Sequence, residues 1–98
     1  MTSKERAALR AQANTIETTL IVGKGGVSEQ VLQEASNLLD AHELIKGKVL
    51  ESAMLTPRTV SEALCEATGA DAVQCIGSKF VVYRQSSDED KRKIVLVK

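Results

Sequence analysis

Aromatic residues are scarce in this 98-residue chain, which contains one phenylalanine, one tyrosine and no tryptophan. A single-strand nucleic-acid binder that stacks successive bases on aromatic side chains needs more than Phe80 and Tyr83, so that class is disfavoured. The chain also has a single histidine and two cysteines, Cys65 and Cys75, which form no Cys-x-x-Cys pair. We therefore expect no metal site, no cofactor and two reduced thiols.

Long apolar runs are absent as well. No stretch approaches the roughly 18 apolar residues of a membrane span, and no apolar signal-peptide segment follows residues 1–6. We expect a cytoplasmic protein that does not enter the membrane. The composition, 43% hydrophobic and 27% charged residues, is that of one folded domain rather than a disordered chain.

An excess of either charge is missing too. The 13 basic and 13 acidic residues give a formal net charge of zero, which counts against a uniformly basic nucleic-acid-binding domain. A local positive patch would still attract a phosphate backbone. The acidic residues concentrate on predicted helices and in the C-terminal tail. Several cations fall instead on a loop and on predicted strands: Lys24, Lys46, Lys48, Lys79 and Arg84.

The stretch Gly23-Lys24-Gly25-Gly26 lies between an apolar run, residues 19–22, and an amphipathic helical pattern. Glycine allows positive φ and the close approach of another backbone, and the start of a helix carries N–H groups and a partial positive charge. Together with the positive charge of Lys24, these features favour the binding of a phosphate group. The spacing of the glycines is that of the GXXG loop that clamps nucleic-acid backbone in KH modules. The tetrapeptide alone fits a plain turn at least as well.

Periodicity and capping residues predict an N-terminal helix followed by the order β-α-β-α-β-β. Thr2 and Glu5 fit a capping box, Ser28 and Thr56 fit N-caps, and Gly77 with Ser78 fits a two-residue hairpin turn. The predicted helices cover residues 3–13, 28–41 and 57–68, and the predicted strands cover 18–22, 44–50, 72–76 and 79–84. The expected fold is α/β, a mixed four-stranded sheet packed with helices, with right-handed crossovers and an antiparallel last hairpin.

The second predicted strand has two different faces. Ile45 and Val49 point to one side, whereas Lys46 and Lys48 point to the other with about 7 Å between them. Those lysines fit a phosphate-binding track or an ordinary solvated face. Gly47 predicts either a bulge or a close approach of another part of the chain.

The remaining polar residues suggest no catalysis. His42 has no nucleophile or second base beside it in any recognisable pattern, so we interpret it as a helix-end residue and expect no enzyme. Residues 85–98 are predicted to form a charged tail whose acidic and basic runs, 88–90 and 91–93, neutralise each other. The apolar residues 94–97 are expected to dock as a short edge strand.

Four stretches in this order resemble the CRM domain, the chloroplast RNA splicing and ribosome maturation family, in its stand-alone bacterial YhbY-like form. They are SKERAALRAQAN, VGKGGVS, HELIKGKV and TGADAVQCIGSKFVVYR, and they cover residues 2–84. The resemblance implies a single RNA-binding domain with a fold like the C-terminal domain of translation initiation factor three. It also implies a GxxG loop lying against RNA and an association with precursors of the large ribosomal subunit.

The resemblance assigns the RNA-contacting positions to the loop and to the lysine-bearing strand: Gly23, Lys24, Gly25, Gly26, Lys46 and Lys48. Lys79 and Arg84 open and close the last strand, where they fit either RNA contact or the protection of an exposed sheet edge. The chain departs from the family at Gly47, where members often carry a β-branched residue, and in its neutral charge.

The expected partner is RNA, in particular ribosomal RNA in large-subunit precursors, with ribosomal proteins as further partners of a monomeric chain. The alternative is a protein-interaction module that docks on a ribosomal or translation protein.

Overall fold

A computed structural model describes residues 2–86. Its elements, in chain order, are α1 (Ser3–Ala13), β1 (Thr18–Val22), α2 (Glu29–His42), β2 (Leu44–Val49), a 3-10 turn (Glu51–Ala53), α3 (Pro57–Thr68), β3 (Asp71–Ile76) and β4 (Lys79–Tyr83). The predicted α/β order is confirmed, and the 3-10 turn is the one element here that the sequence pattern did not predict.

The helix ends form where the capping residues predict them. The Thr2 hydroxyl accepts a hydrogen bond from the Glu5 N–H, and the Glu5 carboxylate accepts one from the Thr2 N–H, so the capping box is confirmed. Ser28 and Thr56 likewise accept hydrogen bonds from backbone N–H groups in the first turns of α2 and α3. These local hydrogen bonds fix where each helix begins.

The four strands form one mixed sheet in the order β1-β2-β4-β3. β1 and β2 are parallel, whereas β4 is antiparallel to both β2 and β3. β1 carries a bulge, since the register shifts between Thr18 and Leu20. Because β4 has a neighbour on each side, the expectation that Lys79 and Arg84 protect an exposed edge is wrong.

The sheet is covered differently on its two faces. α2 and α3 pack on one face over a continuous apolar core that includes Leu39, Leu64 and Phe80. On the other face, α1 packs Leu9 and Ala13 against a smaller cluster formed by Leu44, Val73, Val81 and Tyr83. This smaller cluster occupies only part of its face, and the rest of that face stays open.

Gly47 lies directly under an aromatic ring. It is paired in register with Phe80, and a Cβ atom added to Gly47 would overlap the Phe80 Cζ. The predicted close approach is therefore confirmed, and the approaching group is a buried side chain. The register shift of the β1–β2 pair lies on β1, between Thr18 and Leu20, opposite Lys46 and Gly47.

The chain stays packed beyond β4. The Ser86 hydroxyl donates a 2.7 Å hydrogen bond to the Asp40 carbonyl, and the Ser86 N–H donates a 2.9 Å hydrogen bond to Glu43 Oε2. Ser86 is buried, so the predicted C-terminal tail is packed against the domain at this residue. The predicted charged runs and edge strand, residues 88–97, lie outside the described residues.

Within the part of the chain that the structure describes, no helix is long and apolar enough to cross a bilayer.

Candidate nucleic-acid interface

Three connections meet at one end of the sheet, which we call the loop end. They are the glycine loop (residues 23–26) after β1, the segment after β2 that leads into the 3-10 turn, and the Gly77–Ser78 hairpin between β3 and β4. Two hydrogen bonds join them to the strand ends, from the Leu50 N–H to the Val22 carbonyl at 2.9 Å and from the Val49 N–H to the Ser78 carbonyl at 2.8 Å. The parallel β1–β2 pair thus brings the glycine loop beside the end of the lysine-bearing strand.

The glycine loop is a closed turn with an open tip. The Gly26 N–H donates a 2.8 Å hydrogen bond to the Gly23 carbonyl, which leaves Lys24 and Gly25 at the exposed corner. Gly26 has a φ of +64°, which favours glycine, and it lies against Leu55. Gly25 is not among the glycines with positive φ, and apart from its own residue and its two chain neighbours no described atom lies within 4 Å of the position its Cβ would occupy. The tip therefore leaves space that a phosphate group could fill.

The loop end also carries acidic groups. α2 begins directly after the loop, so its N-terminal partial positive charge lies at this end, but Glu29 stands in its first turn. Glu51 follows β2 in the 3-10 turn. These carboxylates limit the positive potential here, as the neutral total charge implies.

Three of the predicted lysines share the partly open face of the sheet. Lys48 and Lys79 are direct register partners on β2 and β4, and both are exposed. Lys46 is half-buried and pairs with Val81, two residues along the strands from the Lys48–Lys79 pair and further from the loop end. Like charges directly opposite each other destabilise a sheet, so the Lys48–Lys79 pair is unfavourable unless an anion lies nearby.

Arg84 lies apart from these lysines. It follows the far end of β4, about 17 Å along the strand from Lys79 at 3.4 Å per residue. Its guanidinium donates hydrogen bonds to the Thr68 carbonyl, the Ser36 carbonyl and hydroxyl, and Asp40 Oδ1, at 2.9 to 3.2 Å. The structure therefore does not bring Arg84 to the loop end, and it gives this side chain partners within the fold.

Two isoleucines that the sequence pattern did not single out lie at the loop end. Ile21 is paired with Lys48 and Ile76 with Lys79, and their exposed fractions are 51% and 63%. Beside Ile76 and Lys79, a groove is lined also by Asn14, Lys46 and Gln74. The signal that joins these residues is strand register, which a single sequence does not reveal.

Other chemically reactive groups do not converge on a site. Burial raises the pKa of the Cys65 thiol above its ordinary value, so this thiol stays protonated near neutral pH. His42 is exposed at the end of α2, as predicted. Among residues 2–86, no three His, Cys, Asp or Glu side chains are grouped as metal ligands.

The fold and this end of the sheet define a class, a small α/β domain that presents a glycine loop next to clustered lysines. A family model for the CRS1 / YhbY (CRM) domain matches residues 1–84, and the chain belongs to that family.

Relatives of known name and structure resemble the chain over nearly its whole length. "Probable RNA-binding protein YqeI" of Bacillus subtilis is 34% identical over 88 residues, which are 90% of this chain and 92% of YqeI. An "RNA-binding protein" of Haemophilus influenzae is also 34% identical over 88 residues, 90% of this chain and 89% of that protein. The solution structure of the hypothetical protein SAV1595 from Staphylococcus aureus has a TM-score of 0.75 and 32% identity, and it covers 97% of this chain and 99% of its own.

Proposed function

We propose that this protein binds RNA through its phosphate backbone at the loop end of the sheet. The contacting residues are those of the glycine loop and the lysines on the open face: Gly23, Lys24, Gly25, Gly26, Lys46, Lys48 and Lys79. The observation that carries the proposal is the direct pairing of Lys48 with Lys79 at the end of the sheet where the glycine loop also lies. A phosphate between the two ammonium groups turns an unfavourable pair into two charge-assisted contacts.

The loop and the lysines have different parts in this mechanism. The open tip of the loop lets a backbone approach the N–H groups at residues 24–26, while Lys24 neutralises a phosphate charge. Lys48 and Lys79 continue the positive track across the sheet. Contacts of this kind fix the position of the RNA and carry little sequence information.

The RNA we propose is ribosomal RNA in precursors of the large subunit, bound in the cytoplasm by a monomer during assembly. The resemblance to the stand-alone bacterial CRM proteins supports this choice. Because the chain is neutral and Glu29 and Glu51 lie near the loop, electrostatic affinity for bare RNA is expected to be modest. Ribosomal proteins on the same precursor particle would then supply further contacts.

A second function, docking on a ribosomal or translation protein, has one observation in its favour. Met54 is 91% exposed after the 3-10 turn, and Leu50 and Leu55 on either side are each 38% exposed. An apolar protein contact centred on these residues would depend little on salt. RNA binding that neutralises several phosphates weakens steeply as salt rises, so salt dependence separates the two functions.

The test is binding to a large-subunit ribosomal RNA fragment across a salt series. Wild type is compared with Lys24→Asp/Gly25→Asp, which puts carboxylates at the exposed tip, where the open space around Gly25 accommodates a side chain. The matched control is Lys4→Asp/Ala7→Asp, which makes the same change in net charge on exposed residues near the N-terminal end of α1.

We expect steep salt dependence in wild type and a loss of about 10- to 100-fold in affinity in the loop variant at low salt. The control should lose much less, since its charges lie at the far end of the sheet. Circular dichroism checks that each variant is folded. Equal binding by wild type and the loop variant, or no binding by either, would show that the loop is only a turn.

A further inference from the structure

Four exposed side chains form one straight row across the loop end of the open face. Strand register places them in the order Ile21, Lys48, Lys79, Ile76, one from each of the four strands. Since neighbouring strands lie about 4.8 Å apart, the row is about 14 Å long. It has two cations at its centre and an aliphatic side chain at each end.

We infer that this row binds unpaired nucleotides and discriminates against duplex RNA. The inference rests on the proposed function and specifies the kind of RNA that the site takes. A phosphate lies between Lys48 and Lys79, and the isoleucines contact the bases of the nucleotides on either side of it.

The isoleucines favour an unpaired strand for a physical reason. The outer surface of an RNA duplex presents phosphates and ribose hydroxyls, and its bases are stacked inside, so it offers little to an aliphatic side chain. Unpaired bases are free to turn an apolar ring face toward the protein. Because Ile21 and Ile76 are 51% and 63% exposed in the free protein, binding an unpaired strand would remove apolar surface from water.

Aromatic stacking does not contribute at this surface. Phe80 packs under α2 and α3, Tyr83 packs against α1, and both rings are buried. The aliphatic ends of the row are thus the apolar groups near the lysine pair that can meet a base.

The groove beside the row adds hydrogen-bonding groups. Asn14 and Gln74 line it together with Lys46, next to Ile76 and Lys79. Side-chain amides donate and accept hydrogen bonds, so they can pair with the exposed edges of an unpaired base. In a duplex those edges are already paired with the other strand.

The test compares two RNAs and two isosteric variants. The RNAs are a short strand without self-complementarity and the same strand annealed to its complement. The variants are Ile21→Thr/Ile76→Thr and Ile21→Val/Ile76→Val. Valine and threonine have the same β-branched shape, so the pair isolates apolar character from size. Both residues are exposed, and thermal unfolding checks that the two variants are equally folded.

We expect wild type to bind the single strand several-fold more tightly than the duplex. The threonine variant should lose about 3- to 10-fold in single-strand affinity and little in duplex affinity, whereas the valine variant should stay close to wild type. The inference is overturned if wild type binds the duplex as tightly as the strand, or if the threonine and valine variants bind the strand equally.

The loop variant Lys24→Asp/Gly25→Asp separates this inference from the proposed function. If that variant loses RNA binding while the threonine and valine variants bind the strand equally, the row is wrong and the backbone-binding proposal stands. If wild type binds neither of these two RNAs, the row is wrong, and if it also fails to bind the ribosomal RNA fragment, the backbone-binding proposal is wrong as well.

Discussion

Gly47 and Phe80 make the most specific residue-level contact in this fold. A Cβ on residue 47 would overlap three atoms of the Phe80 ring, which is fully buried. The aromatic ring occupies the volume that a side chain on residue 47 would need. The two positions are therefore coupled.

We predict that Gly47→Val destabilises the protein by about 1–3 kcal/mol, the usual cost of overpacking a core. The free energy of unfolding, measured by urea titration, checks this. Gly25→Ala is the control, because the same kind of change in open space should cost no more than about 0.5 kcal/mol.

A second substitution tests the cause. Phe80→Leu alone should destabilise by leaving a cavity, but in the Gly47→Val background it should restore part of the lost stability. Additive effects of the two substitutions would mean that the Phe80 ring is not what excludes a side chain at residue 47.

At the scale of elements, the segment after β4 ties the sheet to two helices. Arg84 reaches the Thr68 carbonyl at the end of α3 and the Ser36 carbonyl and Asp40 carboxylate on α2. Ser86 then adds hydrogen bonds to α2 and to the residue after it. The end of the sheet opposite the loop is thus closed by hydrogen bonds, while the loop end presents the exposed residues Lys24, Lys48 and Lys79.

We predict that Arg84→Gln lowers stability by about 1–2 kcal/mol, because it removes several hydrogen bonds from a charged, mostly buried side chain. RNA affinity of the folded variant should change less than about 3-fold, since the contacts of Arg84 lie at the far end of the sheet. Urea titration and the salt-series binding assay measure the two effects.

Arg58→Gln is the matched control, because the ion pair of Arg58 with Glu62 is solvent-exposed and contributes little. A loss of RNA affinity in Arg84→Gln as large as that of the loop variant, with stability unchanged, would place Arg84 in the RNA interface after all.

The elements themselves were predictable because their signals are local. The capping box at Thr2 and Glu5 and the Gly77 turn act over two to four residues, so the sequence shows them directly. The partners of Arg84 lie 16 to 48 residues away, and the Phe80 ring that excludes a side chain at Gly47 comes from another strand. Contacts of this range depend on strand order, which the pattern of a single sequence does not specify.

The candidate site divides in the same way. The glycine loop and the alternation of Lys46 and Lys48 are visible in the sequence, and the structure places them at one end of the sheet. The row from Ile21 to Ile76 exists only once β4 is inserted between β2 and β3. Without the strand order, Lys79 is equally well interpreted as an edge residue, and the two isoleucines as ordinary strand positions.

At the scale of the whole molecule, charge is balanced overall but not locally. The net charge of zero gives no general attraction for RNA, so the binding we propose would depend on the few lysines at the loop end. Two of these, Lys48 and Lys79, are direct register partners on β2 and β4, a placement of like charges that is expected to be unfavourable in the free protein. The lysine pair is therefore expected to lower the stability of the fold while raising its affinity for RNA.

Lys79→Gln tests whether Lys79 affects stability and RNA affinity in opposite directions. We predict that it raises stability by about 0.2–1 kcal/mol at low salt, because it removes one of two opposed charges, and that the gain shrinks as salt screens the pair. The same substitution should weaken RNA binding and lower the slope of log affinity against log salt by about one. Lys4→Gln, which removes one charge on the exposed surface of α1, should change neither quantity appreciably.

A gain in stability together with a loss of RNA affinity in Lys79→Gln would identify Lys79 as a residue that serves binding at the expense of stability. A loss of stability in Lys79→Gln at low salt would instead mean that the Lys48–Lys79 pair is not under repulsion and that its place in the interface needs another basis.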